Sequence, residues 1–121
     1  PNLNAALGCA QLEQLPAMLA AKRGLFQRYQ AAFAPVEGVK LMAEPDQCQS
    51  NYWLQTLLLD AEQANQRDPI LKVTNDAGFM TRPAWTLIHE LKPFKDCARM
   101  DLTEAQSLSR RLINIPSSTG L

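Results

Sequence analysis

The sequence predicts an α+β fold, a small and largely antiparallel sheet packed against helices. Three observations carry that expectation. Met18, Leu25, Tyr29 and Phe33 lie along one helical stripe, widened by Leu19 and Phe26, while Lys22, Arg23, Gln27, Arg28 and Gln30 take the other side. Tyr52-Trp53-Leu54-Gln55-Thr56-Leu57-Leu58-Leu59 is nearly continuous in aromatic and aliphatic residues and stops at Asp60, the pattern of a strand covered on both faces in the middle of a sheet. Helical and extended segments are mixed without the strict alternation of a parallel sheet.

The elements follow in order. Residues 2–15 put Leu3, Ala6, Leu7, Ala10 and Leu15 largely on one face, with Asn2 or Asn4 as cap. Pro16 breaks or bends that run, because proline lacks an amide hydrogen, and it opens a second helix reaching Phe33. Pro35 and Gly38 close the second helix. Val39 to Met42 reads as a short strand and Glu44-Pro45-Asp46-Gln47 as a turn. Trp53, inside the main strand, is assigned to the core. Asp68-Pro69 starts the next helix, aspartate as N-cap and proline at the first position. Gly78 suits the left-handed position that ends it. Phe79 to Ala84 should be extended, Trp85 to Leu91 a short helical turn, and Lys92 to Met100 a loop. Asp101-Leu102-Thr103-Glu104 looks like a capping box for the last helix, striped by Leu102, Ala105, Leu108 and Leu112. Ile113-Asn114-Ile115 forms a terminal strand stopped by Pro116.

A chain of 121 residues makes one domain and can bury a single core without staples. Lys+Arg and Asp+Glu are 12 each, so the net charge is zero, which removes the electrostatic case for nucleic acid or an anionic membrane and favours association. No apolar run approaches the roughly 20 residues that span a bilayer, and the first residues lack a basic segment followed by an apolar one. Cys9, Cys48 and Cys97 are odd in number and widely spaced, which reads as reduced thiols in a cytoplasmic protein. With a single histidine, no usual zinc set is complete, and no metal is expected. The chain opens on Pro1 and enters a helical pattern at once, the look of a fragment whose N-terminal portion lies elsewhere.

The chemistry-bearing residues are few. His89, the lone histidine, is either a partly buried residue with one satisfied nitrogen or a substrate contact. Arg82, in an extended run, is either a surface guanidinium or a planar fork for phosphate or carboxylate oxygens. Trp85 suits core packing, with a flat face for a sugar ring or base as the alternative. Ser117, Ser118 and Thr119 read as a free tail. No serine sits in a nucleophile elbow and no glycine fingerprint cradles a phosphate. No lysine lies where burial would lower its pKa for Schiff-base work. An independent enzyme does not follow from these residues alone.

Three segments together resemble the DegT/StrS family of pyridoxal-phosphate (PLP) sugar-nucleotide aminotransferases. They are residues 1–13 followed by the helix with Arg23 and Tyr29; Arg67-Asp68-Pro69 through Gly78-Phe79-Met80-Thr81-Arg82-Pro83; and Leu112-Ile113-Asn114-Ile115-Pro116-Ser117-Ser118. The arm from Thr81 to His89 looks most like the perosamine-type and legionaminic-acid-pathway branches. The resemblance implies that residues 1–121 are a single C-terminal small domain of a fold-type-I transferase. A large domain absent from this chain would carry the PLP lysine and the aspartate facing the pyridine nitrogen. The whole would be a cytoplasmic homodimer passing an amino group, from glutamate, to a nucleotide-linked 4-keto-6-deoxy sugar for cell-surface polysaccharide. Arg82, His89 and Trp85 match substrate-binding positions, and no residue here matches a catalytic or cofactor-binding one. A free-standing, non-catalytic ligand-binding or protein-interaction module is the alternative.

Overall fold

The computed structural model describes residues 1–120. Its elements are helix α1 (Asn2–Phe33), strands β1 (Val39–Leu41) and β2 (Gln55–Leu59), helix α2 (Arg67–Asp76), strand β3 (Arg82–Pro83), helix α3 (Thr103–Ser109) and strand β4 (Leu112–Ile115). Short 3₁₀ turns occupy Ala61–Gln66, Ile88–Glu90 and Lys92–Phe94. The four strands form one antiparallel sheet in the order β1-β2-β4-β3, with β2 interior as its apolar run predicts.

Pro16 does not divide the opening segment. α1 is one continuous helix of 32 residues, about 48 Å long at about 1.5 Å per residue. The missing Pro16 amide deprives the Leu12 carbonyl of its helical donor, but that stretch is exposed and water can satisfy it. The second half of α1 packs on the sheet: Leu25 and Phe26 are buried, with Tyr29 and Phe33 partly so. The first half stands clear, with Leu3, Leu7 and Leu12 exposed.

The core lies between α1, α2 and one face of the sheet. Leu57, Leu59, Ile113, Ile115 and Leu41 are buried together against Phe26 and Tyr52, with Ile70 and Leu71 of α2 packed alongside. Burial alternates along β2, so Thr56 and Leu58 on its other face are only half-buried rather than fully covered as expected. The strand is also shorter than its apolar run. Tyr52 takes φ 47, a left-handed conformation that turns the chain before β2 begins at Gln55. Trp53 is thereby expelled from the core to the surface.

The expected stop of α2 holds, but neither expected N-cap forms: α2 is capped at Gln66 and α3 at Leu102, each without a side-chain bond. α2 begins at Arg67, one residue ahead of Asp68, because the preceding 3₁₀ turn runs straight into it. Asp68 therefore sits in the first turn, where its charge suits the helix dipole. Gly78 (φ 86) ends α2: its amide bonds to Asn75 O (3.0 Å) and the Phe79 amide to Thr74 O (2.9 Å), the doubly bonded Schellman stop. Asp101 lies one residue ahead of that cap position and accepts from Thr103 Oγ1 at 2.8 Å.

Gln55 is the anomaly of this core. It is 1% exposed, and among the described residues neither end of its amide has a hydrogen-bond partner. An unsatisfied buried polar group costs about 1–3 kcal/mol. Gln55→Leu should therefore keep or raise the urea midpoint; a clear fall would show that the amide is partnered in solution.

Candidate ligand-binding groove

A groove of about 800 Å³ opens at one end of the sheet. Three segments build it: the turn before β2 with Trp53, the run from Phe79 through Arg82 to Trp85, and the stretch after β4 with Ser117 and Ser118. Backbone register brings them together. Gln55 pairs with Ile115, so the residues just before β2 and just after β4 are neighbours, and Arg82 pairs with Asn114 on the far side of β4.

A polar network on α1 holds the first wall. The Arg23 guanidinium grips the Glu44 carboxylate with two bonds, 3.0 and 3.2 Å, and donates to Ser50 O at 2.7 Å. The Ser50 amide donates to the same carboxylate at 2.5 Å, and its hydroxyl accepts from the Tyr52 amide at 3.0 Å. The Tyr52 ring stacks on Phe26, centroids 4.2 Å apart, under the Arg23 cation. The Trp53 amide donates to Asn51 Oδ1 at 3.0 Å. Lys22 Nζ bridges from α1 to the carbonyls of Ser117 and Trp53, tying two walls together.

Thr81 anchors the second wall. It is buried, shares a hydroxyl contact with Thr74 at 2.5 Å, and accepts from Asn75 Nδ2 at 2.9 Å through its hydroxyl and 3.0 Å through its carbonyl. The next residue, Arg82, is exposed. Its guanidinium touches the Met80 sulfur at 3.4 Å, a weak acceptor that leaves the rest of the donor fork facing outward. Trp85 is 70% exposed, against its expected place in the core, because the chain after β3 runs out along the groove rather than back over the sheet. Its ring faces that of Trp53, centroids 6.3 Å apart and planes inclined by 29°.

His89 does not join this groove. It is half-buried in a separate, smaller pocket of about 360 Å³ with Phe94, Cys97 and Leu102, its Nε2 at 3.3 Å from Gln106 Nε2. Of the three sequence candidates, the fold unites Arg82 with Trp85 and sets His89 apart. Sequence reasoning missed Trp53, read as core, and Ser117 and Ser118, read as free tail. The signal for Trp53 was Ser50-Asn51, two turn formers directly ahead of the aromatic pair.

Charge is concentrated beside the groove rather than in it. Hydrogen bonds from Arg23, then from the Ser50 amide, hold the Glu44 carboxyl below its ordinary range, and the Glu44 bond raises Arg23. Burial raises the Tyr29 phenol, which donates to Pro116 O at 2.9 Å. All three cysteines are free and exposed. Among the described residues, no cluster of His, Cys, Asp or Glu could hold a metal ion, and no helix is long and apolar enough to cross a membrane.

The chain matches the family model of the DegT/DnrJ/EryC1/StrS aminotransferases over residues 1–121. It is 31% identical to GDP-perosamine synthase of Vibrio cholerae across 99% of its own length and 33% of that protein's. It thus spans about a third of that curated relative. Among solved structures, DesI, determined with its TDP-sugar product, superposes with a TM-score of 0.86 at 23% identity, covering 97% of this chain and 30% of the other. A structure described as a sugar aminotransferase from Streptococcus pneumoniae, in its PLP form, gives 0.85 at 22%, covering 100% and 31%. These two likenesses establish the fold.

Glu44's depressed pKa has a consequence for acid stability. Its contribution is full at neutral pH, above the ordinary carboxylate range, and is lost as pH falls through the lowered folded-state value. Glu44→Gln should be less stable than wild type at pH 7 and converge with it at low pH, read from urea midpoints across the range. Parallel midpoint curves would remove Glu44 from the acid response.

Proposed function

The chain belongs to the DegT/DnrJ/EryC1/StrS aminotransferase family, and from that premise we propose that it is the C-terminal small domain of a PLP-dependent sugar aminotransferase. In this reading the whole enzyme passes an amino group, from glutamate, to a nucleotide-linked 4-keto-6-deoxy sugar. The enzyme acts in the cytoplasm as a homodimer, and its product serves a cell-surface polysaccharide. The observation that supports the reading best is the groove: a family match across the whole chain converges with an exposed arginine fork and flat aromatic faces in one cleft.

The residues here do not fit a resident PLP. That cofactor needs an amine for its Schiff base and a carboxylate facing its pyridine nitrogen. Among the described residues, no lysine and no carboxylate lines the groove. Lys22 is turned to backbone carbonyls and Lys72 is paired with Asp76 at 2.5 Å. In the proposed enzyme the cofactor belongs to a large domain outside this chain, and this domain contributes substrate contacts. Arg82 takes the diphosphate, where a planar fork outperforms a point charge. Trp85 offers its face. His89 would act from its separate pocket, where its Nε2 lies beside Gln106.

Two measurements test the reading. PLP mixed with the 121-residue chain should give no Schiff-base absorbance; a stable band would contradict the division of labour. In the longer enzyme, Arg82→Ala should raise the KM for the sugar nucleotide roughly tenfold or more, the worth of a charged hydrogen bond, with PLP content unchanged. An unaltered KM would end the claim for Arg82.

A further inference from the structure

Between β3 and α3 the chain forms neither strand nor α-helix, only two short 3₁₀ turns. Among the described residues, the backbone hydrogen bonds of residues 84–100 all close within that stretch: Glu90 to Leu87 O, Leu91 to Ile88 O, Phe94 to Leu91 O and Cys97 to Phe94 O. Its far part leans on α3, where His89 meets Gln106 and the pocket around it takes in Leu102 and Ala105. Its near part leaves β3, which is itself only two residues long. A side chain holds that near part. The Trp85 ring stacks on the Trp53 ring, centroids 6.3 Å apart and planes inclined by 29°. That separation lies within the roughly 4.5–7 Å that aromatic pairs favour.

The two partners in the stack are anchored unequally. Trp53 is fixed: its amide donates to Asn51 Oδ1, its carbonyl accepts from Lys22 Nζ at 3.5 Å, and Tyr52 just before it is buried against Phe26. Trp85 comes two residues after Pro83, which pairs with Ile113 and accepts from Asn114 Nδ2 at 3.4 Å. Beyond Pro83 the backbone bonds only to itself until Met100. The rings stay 66% and 70% exposed, so no surrounding core forces them together. A pair of this kind shifts a local equilibrium roughly two- to tenfold, enough to favour one arrangement without locking it. We propose that the Trp53–Trp85 stack is a latch on the groove. Closed, it pins the stretch after β3 to the turn before β2. Released, that wall swings away from the end of β3 while the sheet and helices keep their places. Trp53 is thus a positioning residue for Trp85 and for the run leading to His89. The latch acts whatever ligand fills the groove, so its failure would leave the sugar-nucleotide reading standing.

The test uses the 121-residue chain without ligand. It has two tryptophans, so an indole exciton couplet in its circular dichroism reports this contact alone. Wild type should show the couplet, and Trp53→Phe and Trp85→Ala should each lose it. Native-state chymotryptic cleavage after Leu87 and Leu91 then tracks the population of the released stretch. Trp53→Ala and Trp85→Ala should each raise that cleavage rate roughly two- to tenfold. The double variant should be cut no faster than either single one, because one contact is lost in all three. Trp53→Phe keeps an aromatic face and should stay near wild type. Cleavage inside β2, after Leu57 or Leu59, should not change in any variant. A wild type without the couplet, or Trp53→Ala cut at the wild-type rate, overturns the latch. Additive effects in the double variant overturn it too, since the rings then act independently. A rise that spreads into β2 also overturns it, because Trp53 would then serve the fold as a whole.

Discussion

The pairing of β2 with β4 is the constraint on which the rest depends. It joins the middle of the chain to its end, with Gln55 opposite Ile115 and Leu57 opposite Ile113. Ile113 is completely buried in that ladder, and the cluster that seals α1 and α2 onto the sheet forms around it. β3 is only two residues long and hangs from β4 alone. A slip of one residue in the central register would turn Leu57 and Leu59 outward and carry Trp53 away from Ser117. Core and groove are thus consequences of a single alignment.

Around that ladder, polar groups do the local positioning. Arg23 is half-buried yet fully engaged, with two bonds to Glu44 and one to Ser50. The exposed ion pairs, such as Lys72 with Asp76, are of the kind that contributes little. The difference is that Arg23 shapes backbone: it holds the loop whose end delivers Trp53. Thr81 does the same for Arg82 from the opposite side. The groove is therefore built by buried or half-buried anchors immediately preceding exposed side chains, with Tyr52 before Trp53 and Thr81 before Arg82.

Much of the architecture was legible in the residues. The interior strand follows from its apolar run, and the end of α2 from Gly78, whose positive φ few other residues tolerate. The family resemblance followed from α1, from the run of α2 into β3, and from β4 with the residues after it. What escaped was governed by context. A tyrosine in the left-handed region has no sequence signal of its own, and the turn formers Ser50-Asn51 ahead of it were outweighed by the strand-like run, which hid the exposure of Trp53. Pro16 sits mid-helix because its surroundings are solvent, which composition does not reveal. His89 is parted from Arg82 because the run beyond Trp85 leads into a 3₁₀ turn, a redirection that neighbouring positions in the chain do not disclose.

Trp53, Arg82 and Trp85 share one property with a wider reach: all are exposed, and none belongs to the buried cluster. Exchanging any of them leaves the packed interior untouched, and surface changes of that kind usually alter stability by about 0.5 kcal/mol or less. On the proposed reading, ligand preference and foldability are thereby uncoupled. Selection can retune the cleft residue by residue, without compensating changes inside, and this freedom is what allows a single scaffold to diversify in what it grips.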